Sequence, residues 1–255
     1  MNFIIKRKNT NYCTFIMNKL KKNKIILIEN LLKYLIVFCG ILGIFLCLIN
    51  AKYDGYSHWT KRLLYFTNQS NLWVVLIYIL SLLPLAKTIE KSVFFAKYIF
   101  TVCISLTSLM FCSFLGPFAD KSYHAWSVSG ILTHVITPVL VIIEFFIQRH
   151  RFFINKKAVL CTLIPPLIYL TCTSILFFIN LDFGRGENFP YFFLNYFSPA
   201  KLLGFSNELP YFMGTFYWFI LILLIILSLG IAIKTINNRS LKNKLNKDKS
   251  TSKNG

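Results

Sequence analysis

Two stretches of the chain concentrate side chains able to move a proton or attack a carbonyl. "FTNQSNLWVV" (66–75) sets five consecutive hydrogen-bonding side chains, Thr67 to Asn71, against the start of an apolar run. "SVSGILTHVITPVLVIIEFF" (127–146) places a single histidine, His134, in an apolar block between Thr133 and Thr137. A threonine hydroxyl is a poor nucleophile until a base takes its proton, and neutral imidazole is the usual base. Thr67 would attack an ester carbonyl while His134 accepts the proton and later returns it to the leaving alcohol. The amides of Asn68 or Asn71, or a backbone N–H, would hold the developing oxyanion. Ser70 and Thr137 complete the expected substrate-binding set.

Plainer readings stand beside this one. Thr67, Ser70 and Asn71 share a helical face at i, i+3 and i+4, as a helix cap with its first turn would, or as glue between membrane helices would. "LLYF" at 63–66 is already apolar, so a cap explains Asn68 less well than glue does. His134 reads equally as a structural histidine bonded to a neighbouring helix. Pro138, four residues on, removes an amide and frees the His134 carbonyl, which kinks the helix there. Glu144, near the end of the same block, is expected as an interfacial anchor that reaches headgroups or the basic 148–157 loop.

The elements that must carry these residues follow from hydropathy. The 255 residues are 56% hydrophobic and only 15% charged, against about a quarter charged in a soluble domain. Six apolar blocks, near 31–50, 64–86, 94–115, 127–147, 158–180 and 211–233, are long enough to span, each reaching the ~20 residues that a membrane-spanning helix needs. The expected fold is all-α, a polytopic membrane bundle of six transmembrane helices. Residues 1–30 form a basic N-terminal segment, 31–233 the six-helix transmembrane domain, and 234–255 a basic, disordered tail. "PP" at 165–166 should kink the fifth span, and Gly40 and Gly43 should mark close packing in the first.

Charge orients the bundle. The net charge is +19, but 20 of the 28 Lys and Arg lie in 1–30, 87–93, 148–157 and the tail from 234, against six in the alternate connections. This is the positive-inside asymmetry, and it predicts both termini in the cytoplasm. Lys33 and Lys97, the other two, are expected at cytoplasmic helix ends. The basic segments then meet anionic lipid headgroups, so membrane lipids are the expected partners and nucleic acid is not. The N-terminus lacks the apolar core and small-residue site of a cleaved signal. The first span therefore reads as an uncleaved anchor, with Met17 a second plausible start. A plasma membrane is the default location.

Six of the seven cysteines (39, 47, 103, 112, 161 and 172) lie in predicted spans, with no C-x-x-C pair and no histidine cluster, so no metal site, disulfide framework or cofactor is expected. "FGRGENF" (183–189) has no strand before it and reads as a turn, not a phosphate loop. The 181–210 connection, rich in aromatics, should lie at the interface as an aromatic belt or as a lid over Thr67 and His134. His58 and His124 are expected in solvated loops.

"YFTNQSNLWV" (65–74), "LTHVITPVLVIIE" (132–144) and "ENFPYFFLNYF" (187–197) resemble the androgen-induced-gene family of integral-membrane threonine hydrolases and its bacterial six-span relatives. The resemblance implies six spans, cytoplasmic termini and cleavage of esters between fatty acids and hydroxy fatty acids. It places the family's threonine on Thr67 and its histidine on His134. "TNQSNL" is closer to the bacterial relatives than to the characterised hydrolases. Two other functions compete: a small transporter with His134 as proton relay, and a non-catalytic protein that binds lipid or a partner. Against transport, His134 is the one clear ionisable group expected deep in the bundle, where coupled transport usually uses several.

Overall fold

A computed structural model describes residues 2–117, 125–148 and 151–253, with side chains from 23 to 247. His124 lies outside the described residues. The described chain is all-helical: α1 (Asn2–Ile49), α2 (Phe66–Leu82), α3 (Glu90–Met110), α4 (Val128–Ile131), α5 (Thr137–Ile147), α6 (Lys156–Cys161), α7 (Ile164–Phe178) and α8 (Thr215–Lys253). Five helical rods are long and apolar enough to cross a membrane: Asn23–Ile49, Glu90–Leu115, Val128–Ile147, Lys156–Phe178 and Thr215–Lys247. The remaining apolar helix, α2, has 17 residues, about 25 Å at helical rise, and 3-10 turns (Trp59–Leu64 and Pro84–Lys87) flank it. The chain is a multi-pass membrane bundle.

Its surface carries that conclusion independently. On α1, Leu27, Leu31, Tyr34, Phe38, Ile41, Phe45 and Ile49 are exposed, whereas Glu29, Lys33, Gly40 and Gly43 face inward. Large apolar groups outside and polar or small groups inside suit a lipid solvent, where helices associate by close packing and polar contacts. A Cβ on Gly40 would come within 2.5 Å of Val75, and one on Gly43 within 2.8 Å of Thr133. These two glycines let α1 approach α2 and the α4–α5 rod.

Two apolar clusters fill the interior. The larger runs along α3 through Phe94, Tyr98, Val102, Leu106 and Met110, spaced i, i+4, and packs on Trp218, Ile222 and Ile226 of α8. Tyr98 fixes that pair by donating to the Gly230 carbonyl at 2.9 Å. The smaller cluster joins Ile36, Val74, Tyr78, Ile104 and Val141, one layer shared by α1, α2, α3 and α5.

Three sequence expectations need amending. Helix α8 does not stop near 233 but continues to Lys253; "LKNKLNKDK" is rich in Lys and Leu, both good helix formers, and extends a helix already nucleated. The fifth rod, by contrast, breaks where its prolines lead one to expect, at Thr162–Leu163, just before Pro165 and Pro166 open α7, since proline fits only the first turn of a helix. Glu144 and Lys97 do not reach out to headgroups or to the basic loop but turn into the bundle. They are 0% and 3% exposed and pair at 2.5 Å, with Tyr78 donating to the other Glu144 oxygen at 2.7 Å. Glu29, Lys33, Asp54 and Arg62 are also buried, at most 8% exposed, so His134 is far from the one ionisable group inside. Hydropathy windows average such groups into their apolar surroundings.

Candidate active site

Thr67 and His134 reach one cavity by different routes. Thr67 lies in the first turn of α2, whose N-cap, Tyr65, makes no side-chain capping bond. His134 sits in a π-helical turn, Leu132–Ile136, between α4 and α5. The cause is Pro138: with no N–H there, the Thr137 amide bonds back five residues to the Leu132 carbonyl. A second π turn, Phe111–Leu115, ends α3 just ahead of Pro117. The two turns meet face to face, with the Phe111 ring stacked on the His134 imidazole at 3.9 Å and 23°.

The cavity between them has a volume of about 520 Å³. Thr67, Asn68, Thr133 and His134 line it from the helices, and Asp54, Arg62, Arg185 and Glu187 bring charge from the connections. Asp54 and Arg62 form a buried ion pair, and the Arg62 guanidinium lies 4.1 Å over the Tyr56 ring. A small apolar slot lies on the other side of Thr67, lined by Phe66, Leu106, Met110, Pro166, Leu170 and Ile222 among others. Thr67, Leu115 and Tyr191 belong to both. Thr67 therefore stands where a polar chamber meets an apolar one.

The 181–210 connection roofs this chamber. Arg185, Glu187, Phe189, Pro190, Tyr191 and Phe192 line the cavity, while Phe193 and Leu194 anchor the segment in the core. The glycine-bearing stretch is a turn, as its sequence indicates. Gly184 adopts φ +117, and a Cβ there would meet Tyr56 at 2.6 Å. Asp182 holds the turn by accepting from the amides of Gly184 (2.7 Å) and Gly186 (3.1 Å) and from the Ser57 hydroxyl (3.2 Å). Partial burial pushes its carboxyl up, but those three donors and the Lys61 charge outweigh it and hold the pKa below the ordinary aspartate value.

Hydrogen bonding orients the imidazole. His134 Nδ1 lies 2.9 Å from the Gly130 carbonyl. The Thr133 hydroxyl, 3.0 Å from the same nitrogen, places its hydrogen on the Ser129 carbonyl at 2.8 Å. A carbonyl only accepts, so this geometry favours the tautomer with the hydrogen on Nδ1 and the lone pair on Nε2. Thr67 Oγ1 sits 3.5 Å from the Tyr191 hydroxyl. Thr67 and His134 are not hydrogen-bonded to each other. Of the four residues expected to bind substrate, Asn68 alone lines the cavity, and its amide donates to the Arg62 carbonyl at 2.7 Å. Asn71 spends both amide hydrogens on the Thr67 and Thr133 carbonyls, and Ser70 bonds Thr107 at 3.1 Å. These two are helix-to-helix glue. Thr137 is fully buried, lines neither cavity, and its hydroxyl has no partner. His58 is exposed and caps the 3-10 turn at Trp59.

No family model, curated protein or solved structure matches the chain. Function has to be argued from the site itself. Among the described residues no group of three or more His, Cys, Asp or Glu is placed to hold a metal. Tyr191, Phe111, Arg62 and Arg185 are the site residues that sequence reasoning missed. Tyr191 falls in "ENFPYFF", but nothing in that run of aromatics separates the ring that enters the site from those that pack the core.

Proposed function

We propose that this chain crosses the membrane six times with both termini in the cytoplasm, and that it hydrolyses a fatty-acyl ester with Thr67 as nucleophile and His134 as base. One observation carries the reading: Thr67 stands at the junction of a polar chamber that holds His134 and an apolar slot. An amphiphile with its head in the chamber of about 520 Å³ and the first carbons of its acyl chain at the slot of about 40 Å³ has its ester linkage at Thr67. The direction of the chain supports six crossings. Tyr78 near the end of α2, Lys97 near the start of α3 and Glu144 near the end of α5 meet at one depth, so α2 runs antiparallel to α3 and parallel to α5.

In the reaction the Thr67 hydroxyl turns from Tyr191 toward the ester as substrate enters. Its proton passes to His134 Nε2, Oγ1 bonds the carbonyl carbon, and the carbonyl π electrons move to oxygen. Collapse expels the alcohol, which takes the proton from His134. Water then repeats the sequence on the acyl-threonine, releasing the fatty acid and restoring Thr67. The Nδ1 bond to Gly130 and the Phe111 ring keep the imidazole in the tautomer and orientation that this needs.

The test is labelling of native membranes with an alkyl fluorophosphonate. The wild-type chain is expected to label at Thr67, and Thr67→Ala and His134→Ala to remain unlabelled. Label that persists in both variants ends the proposal. The Lys97–Glu144 pair favours a second reading, proton-coupled transport, because ionisable groups inside a membrane mark proton paths by default. Proton flux in reconstituted vesicles that Glu144→Gln abolishes would select it; absence of flux removes it.

A further inference from the structure

The exposed apolar side chains of α1 and α8 lie on rods that face lipid. One further group lies on no rod. Between the roof and α8, "AKLLGFSNELPYFMG" (200–214) turns Leu202, Leu203, Phe205 and Leu209 outward, 46–72% exposed, and carries only two charges, Lys201 and Glu208. We infer that this segment is an interfacial anchor: its outer face seats in the lipid leaflet at the chamber end, and its inner face forms part of the chamber wall. The inference needs the membrane bundle and does not need the hydrolase reading.

The segment closes on its own backbone. It folds back with Phe205 bridged to Met213, the Ser206 amide donating to the Phe212 carbonyl at 3.2 Å and the Gly214 amide to the Gly204 carbonyl at 2.9 Å. It then lies against the first turn of α8. The amides of Thr215 and Phe216, which find no acceptor inside their own helix, donate to the Lys201 and Leu202 carbonyls at 3.2 and 3.1 Å. Gly214 permits this approach, since a Cβ there would come within 2.3 Å of the Leu202 carbonyl. Backbone groups that are already bonded resist leaving water far less than free ones. The apolar side chains therefore decide where the segment rests.

Depth follows from α8. Its first charged residue is Lys234, and the rise from Thr215 to Lys234 is about 29 Å, close to the ~30 Å of a bilayer's hydrocarbon core. The Phe205 ring stacks on Tyr217 at 4.9 Å and 22°, so the segment is level with the first turn of α8, where acyl chains meet headgroups. Trp59 and Trp126, just ahead of α2 and α4 at the same end of the bundle, are exposed as well. Tryptophan and tyrosine concentrate at that level. Phe216, Ile220 and Leu224 continue the apolar surface down α8, so the segment extends a lipid-facing surface. That continuity favours lipid over a second copy of the chain.

The inner face is held by the bundle. Phe212 packs edge-on against Trp218 at 5.3 Å and Tyr211 against Phe192 at 6.2 Å, while Pro210 and Tyr211 line the chamber. One segment thus separates leaflet from chamber and sets the chamber's polar lining at headgroup depth. Ile222 of the apolar slot lies further along α8, on the acyl-chain side.

The experiment photo-crosslinks the full-length chain in nanodiscs of phosphatidylcholine and phosphatidylglycerol. Benzoyl-phenylalanine, which inserts into neighbouring C–H bonds, is placed at Leu203 or at Leu209, both exposed, so neither change displaces buried packing. Leu224 on the lipid face of α8 and Lys244 beyond the far end of the span serve as references. Intact-protein mass spectrometry after irradiation is expected to show phospholipid adducts at 203 and 209 in yields matching position 224, with loss of adduct at 244. Yields at 203 and 209 as low as at 244 place the segment in water and overturn the anchor. Covalent dimers in place of lipid adducts assign the face to a second copy and overturn it as well.

Discussion

The bundle has two polar ends built from the same kinds of residue, and they do opposite things. At one end Thr67, Asn68, Arg62, Thr133 and His134 border a chamber of about 520 Å³. At the other, Tyr78, Lys97 and Glu144 close on each other at 2.5 and 2.7 Å, and none of the three lines either cavity. Between them lies the apolar layer of Ile36, Val74, Ile104 and Val141. Val74 falls between Asn68 and Tyr78 in sequence, and Val141 falls between His134 and Glu144. The difference is one of helix continuity. Around Lys97 and Glu144 the helices are regular, so complementary charges pack without space between them. Around His134 and Phe111 two π turns precede prolines, push the walls out of register and leave room. Polar content alone builds a lock; polar content with an interrupted helix builds a receptacle.

Substitutions at the two ends should therefore read out differently. The largest effect is expected from Thr67→Ala: fluorophosphonate labelling falls at least ~10⁴-fold, as on loss of a nucleophile, while the thermal midpoint in detergent barely moves. A Thr67→Ala protein that unfolds early would break the comparison, because the chamber end would then be structural too. Next comes Lys97→Met, which strands a buried carboxylate and should cost about 3–5 kcal/mol. Pairing it with Glu144→Leu is expected to recover most of that loss in denaturation measurements, since apolar replacement of a buried pair is often neutral. A double variant as unstable as the single one would show that the ions do more than lock.

Gly43→Val tests the wall itself. Its side chain would meet Thr133 and Leu132 at an overpacking cost of about 1–3 kcal/mol, and by displacing the π turn it should slow labelling as well. Gly230→Ala, next to Tyr98 at 3.2 Å, offers the matched site away from the chamber; it should affect stability and leave labelling alone.

The smallest effect concerns the roof. Asp182 has a folded pKa below its ordinary one, so the order it gives the 182–186 turn is complete above the unfolded value of about 3.9. That order is lost as pH falls through the lower folded value. Hydrogen exchange at the Gly184 and Gly186 amides should rise over that window, relative to intrinsic rates. Asp182→Asn should show no such step.

Most of the architecture is legible in composition. Apart from the start of α1 and the end of α8, which run well past their apolar blocks, those blocks place the long helices to within a few residues. Gly40 and Gly43 announce close packing because a membrane helix has little other use for two such residues in register. The prolines at 138 and 165–166 locate the interruptions correctly. The site is half legible. Thr67 and His134 stand out because a polar residue in an apolar block needs a reason, and both line the chamber. Asn71, Ser70 and Thr137 look identical by that criterion, yet they face other helices.

What the sequence determines by itself is the local part: which segments are helical and buried in lipid, where proline must break them, and which side chains are chemically competent. Only the tertiary structure decides which competent groups share a space. Lys97 and Glu144 are 47 residues apart, Thr67 and Tyr191 are 124 apart, and no local pattern encodes either meeting. Helix rotation is the physical reason. Adjacent residues on a helix point about 100° apart, so packing against neighbours, not composition, turns one polar group toward a cavity and the next toward a backbone carbonyl.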